Sequence, residues 1–412
     1  MAANEMVNAG VRAVQVDAPP GPSRHPDGDG ARRGPPGPPV SVPCEISWQR
    51  PPDPARRRAA REARYWLRRG LWRVTSLPRV AHCGRFLTGD VTRVHVKAGS
   101  AYYCDVQTCG SVWSCPVCAA RIRQRRAGEI ETACVSHLGA GGSIGFLTLT
   151  FPHTRDDDLA EMLRVLARCW ERVQQRRGYR ARKDALRLFG FIRATEVTYG
   201  GWHGWHPHLH LLLFAEGTVT ADDWAQLRGW LSDAWAEVVV KAGRDRPGEA
   251  VGVTLAPVRT AEVGAYLAKV QDHYGAESSI GREMARSDAK RGRKRSRTPF
   301  ELLEQAVLGV VPELPLWHTY EAATKGRHAI DWSRGLKARF AVEDVDDEDL
   351  AQVDVDGEAV ATLDAREYAL IVQDGAEAHV LDLAEDGGGA AVHAFLSRLR
   401  GSLWARGPVA AG

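Results

Sequence analysis

The sequence predicts an α+β protein, an antiparallel sheet covered by helices and preceded by a cysteine-rich zinc module. Three observations lead there. Four short apolar runs, "IGFLTLTF" (144–151), "LFGFIRATEVTY" (188–199), "HLHLLLF" (208–214) and "VGVTLAPV" (251–258), read as strands. Two longer stretches between them carry apolar residues at the helical period. Upstream, Cys104, Cys109, Cys115 and Cys118 fall within fifteen residues, with Cys83 before them.

Residues 1–55 include "APPGPSRHPDGDGARRGPPGPPVSVP", rich in Pro and Gly, and are expected to be disordered because they bury too little to offset ordering entropy. A basic helical stretch, "ARRRAAREARYWLRRGLWR" (55–73), opens a module spanning 56–130. Its arginines fit either a solvated face or contacts to phosphates.

In the next unit, 140–275, the stretch 156–175 places Leu159, Met162, Leu163, Leu166, Trp170 and Val173 on one helical stripe. The stretch 221–240 does the same with Trp224, Leu227, Leu231, Trp235 and Val238, and a further helix starts near Thr260. The order β-α-β-β-α-β-α resembles a ferredoxin-like layout. A basic loop, "RSDAKRGRKRSR" (286–297), lies in a mixed helical extension, 276–340, and the remainder, 341–412, is acidic at its start.

The cysteine run is the first chemical signal. A Cys115-Pro-Val-Cys118 knuckle lets two thiolates grip one tetrahedral ion, and two more cysteines close a structural zinc site. Those two come from Cys83, Cys104 and Cys109, and spacing does not choose among them. Arg121, Arg123, Arg125 and Arg126 follow directly, as expected of a zinc-stapled module lying on nucleic acid.

The second signal is "WHPHLHLLLF" (205–214). His206, His208 and His210 occupy alternate positions and share one strand face, while Leu209, Leu211 and Leu213 take the other. Glu196, on the preceding strand of the presumed hairpin, is placed to join them. Imidazole with carboxylate suits Mn²⁺ or Mg²⁺ acting on phosphate oxygens.

A metal beside a phosphodiester needs a nucleophile. In "TAEVGAYLAKVQDHYG", Glu262, Tyr266, Lys269 and His273 are spaced 4, 3 and 4, so a helix puts them on one face. A phenol is a poor nucleophile at neutral pH, and a neighbouring ammonium or metal favours its phenolate. Attack on phosphorus leaves a covalent phosphotyrosine, and Glu262 is placed to activate water or take a proton.

Together, the cysteine knuckle, "FLTLTF", "WHPHLHLLLF" and "EVGAYLAKV" resemble a rolling-circle plasmid replication initiator with a histidine–hydrophobe–histidine (HUH) endonuclease core, of the type found on actinobacterial plasmids. The likeness covers roughly residues 80–340. It implies that His208 and His210 bind the catalytic metal, with Glu196 a third ligand by structural analogy, and that Tyr266 nicks, Glu262 ends the round by hydrolysis and Lys269 is the basic residue after the tyrosine. It implies origin DNA as substrate, a 5′-phosphotyrosine link, a 3′ hydroxyl left as primer, and a host helicase and polymerase as partners. DNA contacts are expected from the four arginines above and from Lys290, Arg291, Arg293, Lys294 and Arg295.

Three other functions use parts of the pattern. An HUH-type transposase shares the chemistry, and His206-Pro-His208-Leu-His210 also fits the histidine triad of nucleotide hydrolases. A non-catalytic zinc-dependent DNA-binding regulator explains the cysteines and arginines alone. The first residues lack a basic and apolar leader, and no run approaches the ~18 apolar residues of a membrane span, so a cytoplasmic protein with reduced thiols and no membrane partner is expected.

Overall fold

The computed structural model describes residues 54–249, 251–258, 296–352 and 357–406 of the 412. All belong to one compact unit. Glu262, Tyr266, Lys269, Lys290, Arg291, Arg293, Lys294 and Arg295 lie outside the described residues, as does nearly all of the stretch expected to be disordered.

Two antiparallel sheets organise the chain, giving a mixed α/β architecture. The larger contains β3 (Ser143–Leu149), β4 (Leu188–Gly200), β5 (Gly204–Ala215), β6 (Val253–Pro257) and the two-residue β7 (Ser296–Arg297), in the order β6-β3-β5-β4-β7, with β8 (Ile330–Trp332) also pairing β4. Its helices α4 (Leu159–Gln175) and α6 (Ala221–Lys241) lie where periodicity predicts helix, and a further helix, α5 (Arg177–Ala185), follows α4 where none was expected. Asp158 and Thr220 cap α4 and α6 by accepting from the backbone N–H three residues on.

The strand period explains how this sheet is covered. Leu209, Leu211 and Leu213 of β5 pack with Leu163, Leu166, Trp224 and Leu231 of α4 and α6 in the main core. On the opposite face, Leu212 and Phe214 pack with Ile130, Ala133 and Cys134 of α3 (Pro116–Gly139). Phe146, packed against this second cluster, reaches the His210 ring, while His208 and Glu196 are half-buried.

The smaller sheet has the order β2-β1-β9, with β1 Val91–Lys97, β2 Ser100–Tyr103 and β9 Glu358–Asp364. Ala98 and Gly99 join β1 to β2 with positive φ at both positions, the tight hairpin turn that matches strand twist. The acidic C-terminal segment is thus not an appendage to the cysteine module: its strand β9 forms one edge of the module's sheet.

The arginines of α1 (Pro54–Val74) follow the same logic. Arg58 bonds Asp386 at 2.8 Å, Arg61 pairs with Glu385, and Arg68, almost fully buried, meets Glu377 at 3.1 Å. The last of these is a desolvated pair whose loss would leave a buried charge uncompensated.

Candidate metal centres

Cys83, Cys109, Cys115 and Cys118 converge, their sulfurs all within 4.8 Å of one another, and all four are buried. Each comes from a different local device. Cys83 follows the short helix Pro78–Ala81, and Cys109 follows β2. Cys115 caps the start of α3, where Pro116 needs no amide partner, and Cys118 lies in the first turn. Backbone bonds from Gly84 N to Gln107 O (2.7 Å) and Gln107 N to Phe86 O (2.9 Å) zip the two loops together.

Gly84 and Gly110, each just after a cysteine of the cluster, adopt positive φ. A Cβ there would run into Arg68 or Glu348, so both turns require glycine. The Sγ separations are 3.6 Å for Cys83–Cys115, 3.5 Å for Cys83–Cys118 and 3.7 Å for Cys109–Cys118. Zinc–thiolate bonds of about 2.3 Å in a tetrahedron put sulfurs ~3.8 Å apart, so the cluster fits such an ion. Within this set hydrogen bonds from Cys109, Cys115 and Cys83 pull the Cys118 thiol down, while Cys109 and Cys115 are pushed up, the first chiefly by its thiol neighbours and the second chiefly by burial.

Cys104 is buried but stands outside this group. Its backbone is tied to β1, its N–H bonding Arg93 O at 2.9 Å and its carbonyl accepting from Thr92 Oγ1. Of the three cysteines that spacing left open, the fold brings Cys83 and Cys109, and not Cys104, beside Cys115 and Cys118.

The second centre sits on the β4–β5 hairpin. Glu196 lies directly opposite His208 in the register, and His210 lies opposite Ala194 on one side and Thr148 on the other. His208 Nε2 and His210 Nε2 both donate to Glu196 Oε2, at 2.7 and 3.0 Å. Burial alone would raise the Glu196 carboxyl, but the hydrogen bonds and charges of the two imidazoles outweigh it and hold it down at about 2. Burial pushes His210 below the ordinary histidine value.

Two imidazole nitrogens and one carboxylate oxygen thus face one point, a donor set that fits Mg²⁺ or Mn²⁺ and leaves further positions for water or phosphate oxygen. Supporting contacts orient the rings. Thr148 Oγ1 is 3.1 Å from His210 Nδ1, and Phe146 stacks on the His210 ring at 5.3 Å between centroids.

His206 shares the face without joining the ligand set. Burial and then the neighbouring His208 lower its pKa to about 4, keeping it neutral. His153 Nδ1 donates to His203 O at 3.0 Å, and His206 Nδ1 donates to His153 Nε2 at 2.6 Å. Sequence reasoning missed His153 and Thr148. Thr148 was reachable through antiparallel register, because it lies opposite His210, whereas His153 follows the end of β3 and its place beside His206 is set by the loop.

Of the arginines expected to meet DNA, Arg123 and Arg126 are 5% and 7% exposed. Arg126 bridges Glu129 and Asp347, and Arg123 bonds Val112 O while lying over the Phe300 ring. Arg121 bonds Ala351 O at 3.3 Å, and Arg125 is half-buried. Arg121, Arg123 and Arg126 thus tie α3 to other parts of the chain. Among the described residues, no helix is long and apolar enough to cross a membrane.

A family profile described as "Replication protein" matches residues 103–374. A Streptomyces lividans protein named "Protein rep" is 30% identical over 328 residues, covering 63% of this chain and 70% of that protein. A Lentilactobacillus hilgardii "Protein rep" is 25% identical over 209 residues, covering 47% of this chain and 62% of that protein. A Streptomyces cyanogenus protein named "Neomycin resistance protein" is 32% identical over 147 residues, covering 29% of this chain and 33% of that protein. No solved structure matches significantly.

Proposed function

The chain belongs to the replication protein family, and from that premise we propose that it initiates rolling-circle replication of a plasmid by nicking one strand of the origin. In this reading the larger sheet is a ferredoxin-like HUH core, and the order β6-β3-β5-β4 supports it. Glu196, His208 and His210 hold Mg²⁺ or Mn²⁺, which when bound withdraws charge from the scissile phosphate. The carrying observation is that both Nε2 atoms converge on one oxygen of a carboxylate held ionised.

Tyr266 supplies the nucleophile. Its phenolic oxygen forms a bond to phosphorus, the bond from phosphorus to the 3′ oxygen breaks, and that oxygen takes a proton to become the primer hydroxyl. Lys269 favours the phenolate, and Glu262 later activates water to release the protein. The four cysteines bind Zn²⁺ as a structural staple. Residues 290–295 supply cations for the DNA backbone, and a host helicase and polymerase extend the primer.

Incubation with supercoiled origin plasmid and Mn²⁺ tests the reading. Relaxation that disappears in Tyr266→Phe is expected. Binding without relaxation would make the protein a regulator, and activity surviving in Tyr266→Phe would fit a histidine-triad enzyme.

A further inference from the structure

One face of α1 is left over once Arg58, Arg61 and Arg68 have met the C-terminal acids. Trp66, Arg69 and Arg73 lie three and four residues apart and so share that face. They line a groove of about 710 Å³ together with Trp72, Arg85 and Phe86. That size suits a nucleotide-sized group better than an ion.

The groove's chemistry is distinctive. Phe86 is 51% exposed and Trp66 37%. The Arg85 guanidinium lies 5.4 Å from the Trp72 ring and 5.7 Å from the Phe86 ring. Three arginines line the groove and, among the described residues, no carboxylate does. Arg69 reaches Gln373 O, whereas Arg73 and Arg85 form no ion pair among the described residues. Trp72 Nε1 donates to Cys83 O at 2.9 Å, so the thiol cluster anchors the loop that presents Arg85 and Phe86.

We propose that this groove binds an unpaired DNA strand, with bases stacking on Trp66 and Phe86 and phosphates meeting Arg73 and Arg85. Exposed rings interleaved with unpaired cations are what a single strand needs, because its base faces are free to stack. A duplex offers base edges and phosphates but keeps its faces stacked internally, leaving the rings without a role. The inference rests on the nicking reading above for the source of such a strand, and it adds a second contact surface beside the Cys83–Cys118 cluster.

The test uses the full chain and a fluorescent oligothymidine, with anisotropy measured without added divalent ion. The Trp66→Ala/Phe86→Ala double variant should bind the single strand about tenfold or more weakly, with duplex affinity unchanged. Trp66→Phe/Phe86→Tyr should restore binding. Arg73→Ala should reduce the magnitude of the slope of log affinity against log salt by roughly 0.7. Bound zinc and circular dichroism report whether each variant is folded.

Unchanged single-strand affinity in the folded double variant would overturn the proposal, as would parallel loss of duplex binding. Unchanged DNA affinity with a shift in sedimentation would make the groove a protein-docking surface instead. The two readings fail separately. Wild type that cleaves nothing but loses single-strand binding in the double variant refutes nicking and keeps the groove. Wild type that cleaves while the double variant binds normally refutes the groove alone.

Discussion

The thiol cluster and the histidine–carboxylate site are both small groups of donor atoms, yet they are built in opposite ways. Cys83, Cys109, Cys115 and Cys118 are all buried and are drawn from loops and a helix start. Glu196, His208 and His210 stand on two adjacent strands of a rigid sheet, and two of the three are half-buried. Four soft thiols can complete a tetrahedron around one ion and leave no position for substrate, whereas three hard or borderline donors leave several. Burial and donor type thus separate the two: one cluster is buried between loops and a helix start, and in the proposed reading the other meets a phosphate.

The largest test of that division is His208→Ala. Cleavage of origin DNA should fall by ~10³ or more, about 4 kcal/mol of barrier, while circular dichroism and bound zinc stay at wild-type values. Loss of the fold with loss of cleavage would erase the distinction.

Cys118→Ser should do the reverse. Metal should leave the cluster and the module should lose several kcal/mol of stability, seen as a lower unfolding temperature and a metal-to-protein ratio reduced by one. Mn²⁺ affinity at the histidines should survive under conditions where the protein remains folded.

Acid should act on two groups of the histidine face at different points. His206 is held neutral, its folded value of about 4 lying below the ordinary 6.5. Its stabilising contribution is complete above about pH 6.5 and is lost as pH falls toward 4. Glu196, lowered from 4.5 to about 2, loses its contribution only below that window. Metal-free melts from pH 7 to pH 4 should therefore show a decline that His206→Gln reduces, and an identical decline in that variant would refute the assignment.

Thr148→Val removes the hydroxyl beside His210 Nδ1 and should weaken Mn²⁺ binding by about tenfold, measured by calorimetry, without altering the fold. Cys104→Ala should have the smallest effect, leaving zinc stoichiometry unchanged.

What could be read from sequence followed from locality. The strand period put three histidines on one face, and a hairpin brought Glu196 opposite His208, because both depend on neighbours in the chain. Helical stripes likewise located α4 and α6. Spacing did not separate Cys83 and Cys109 from Cys104, since those ligands converge from loops whose pairing is set by tertiary contacts. The union of β9 with β1 joins residues more than 250 positions apart and has no local signature. Arginine runs were equally ambiguous: in composition alone, an arginine facing Glu377 or Asp347 looks the same as one facing phosphate.

The central claim is that a tyrosine on one segment and the metal-holding histidines on β5 act on a single phosphate. It is tested most directly by trapping the covalent adduct on a single-stranded origin oligonucleotide with Mn²⁺ and mapping the modified residue by mass spectrometry. The account expects a phosphodiester on Tyr266, present in wild type and missing from His208→Ala. An adduct on a histidine, on another tyrosine, or formed equally well without His208 would contradict it.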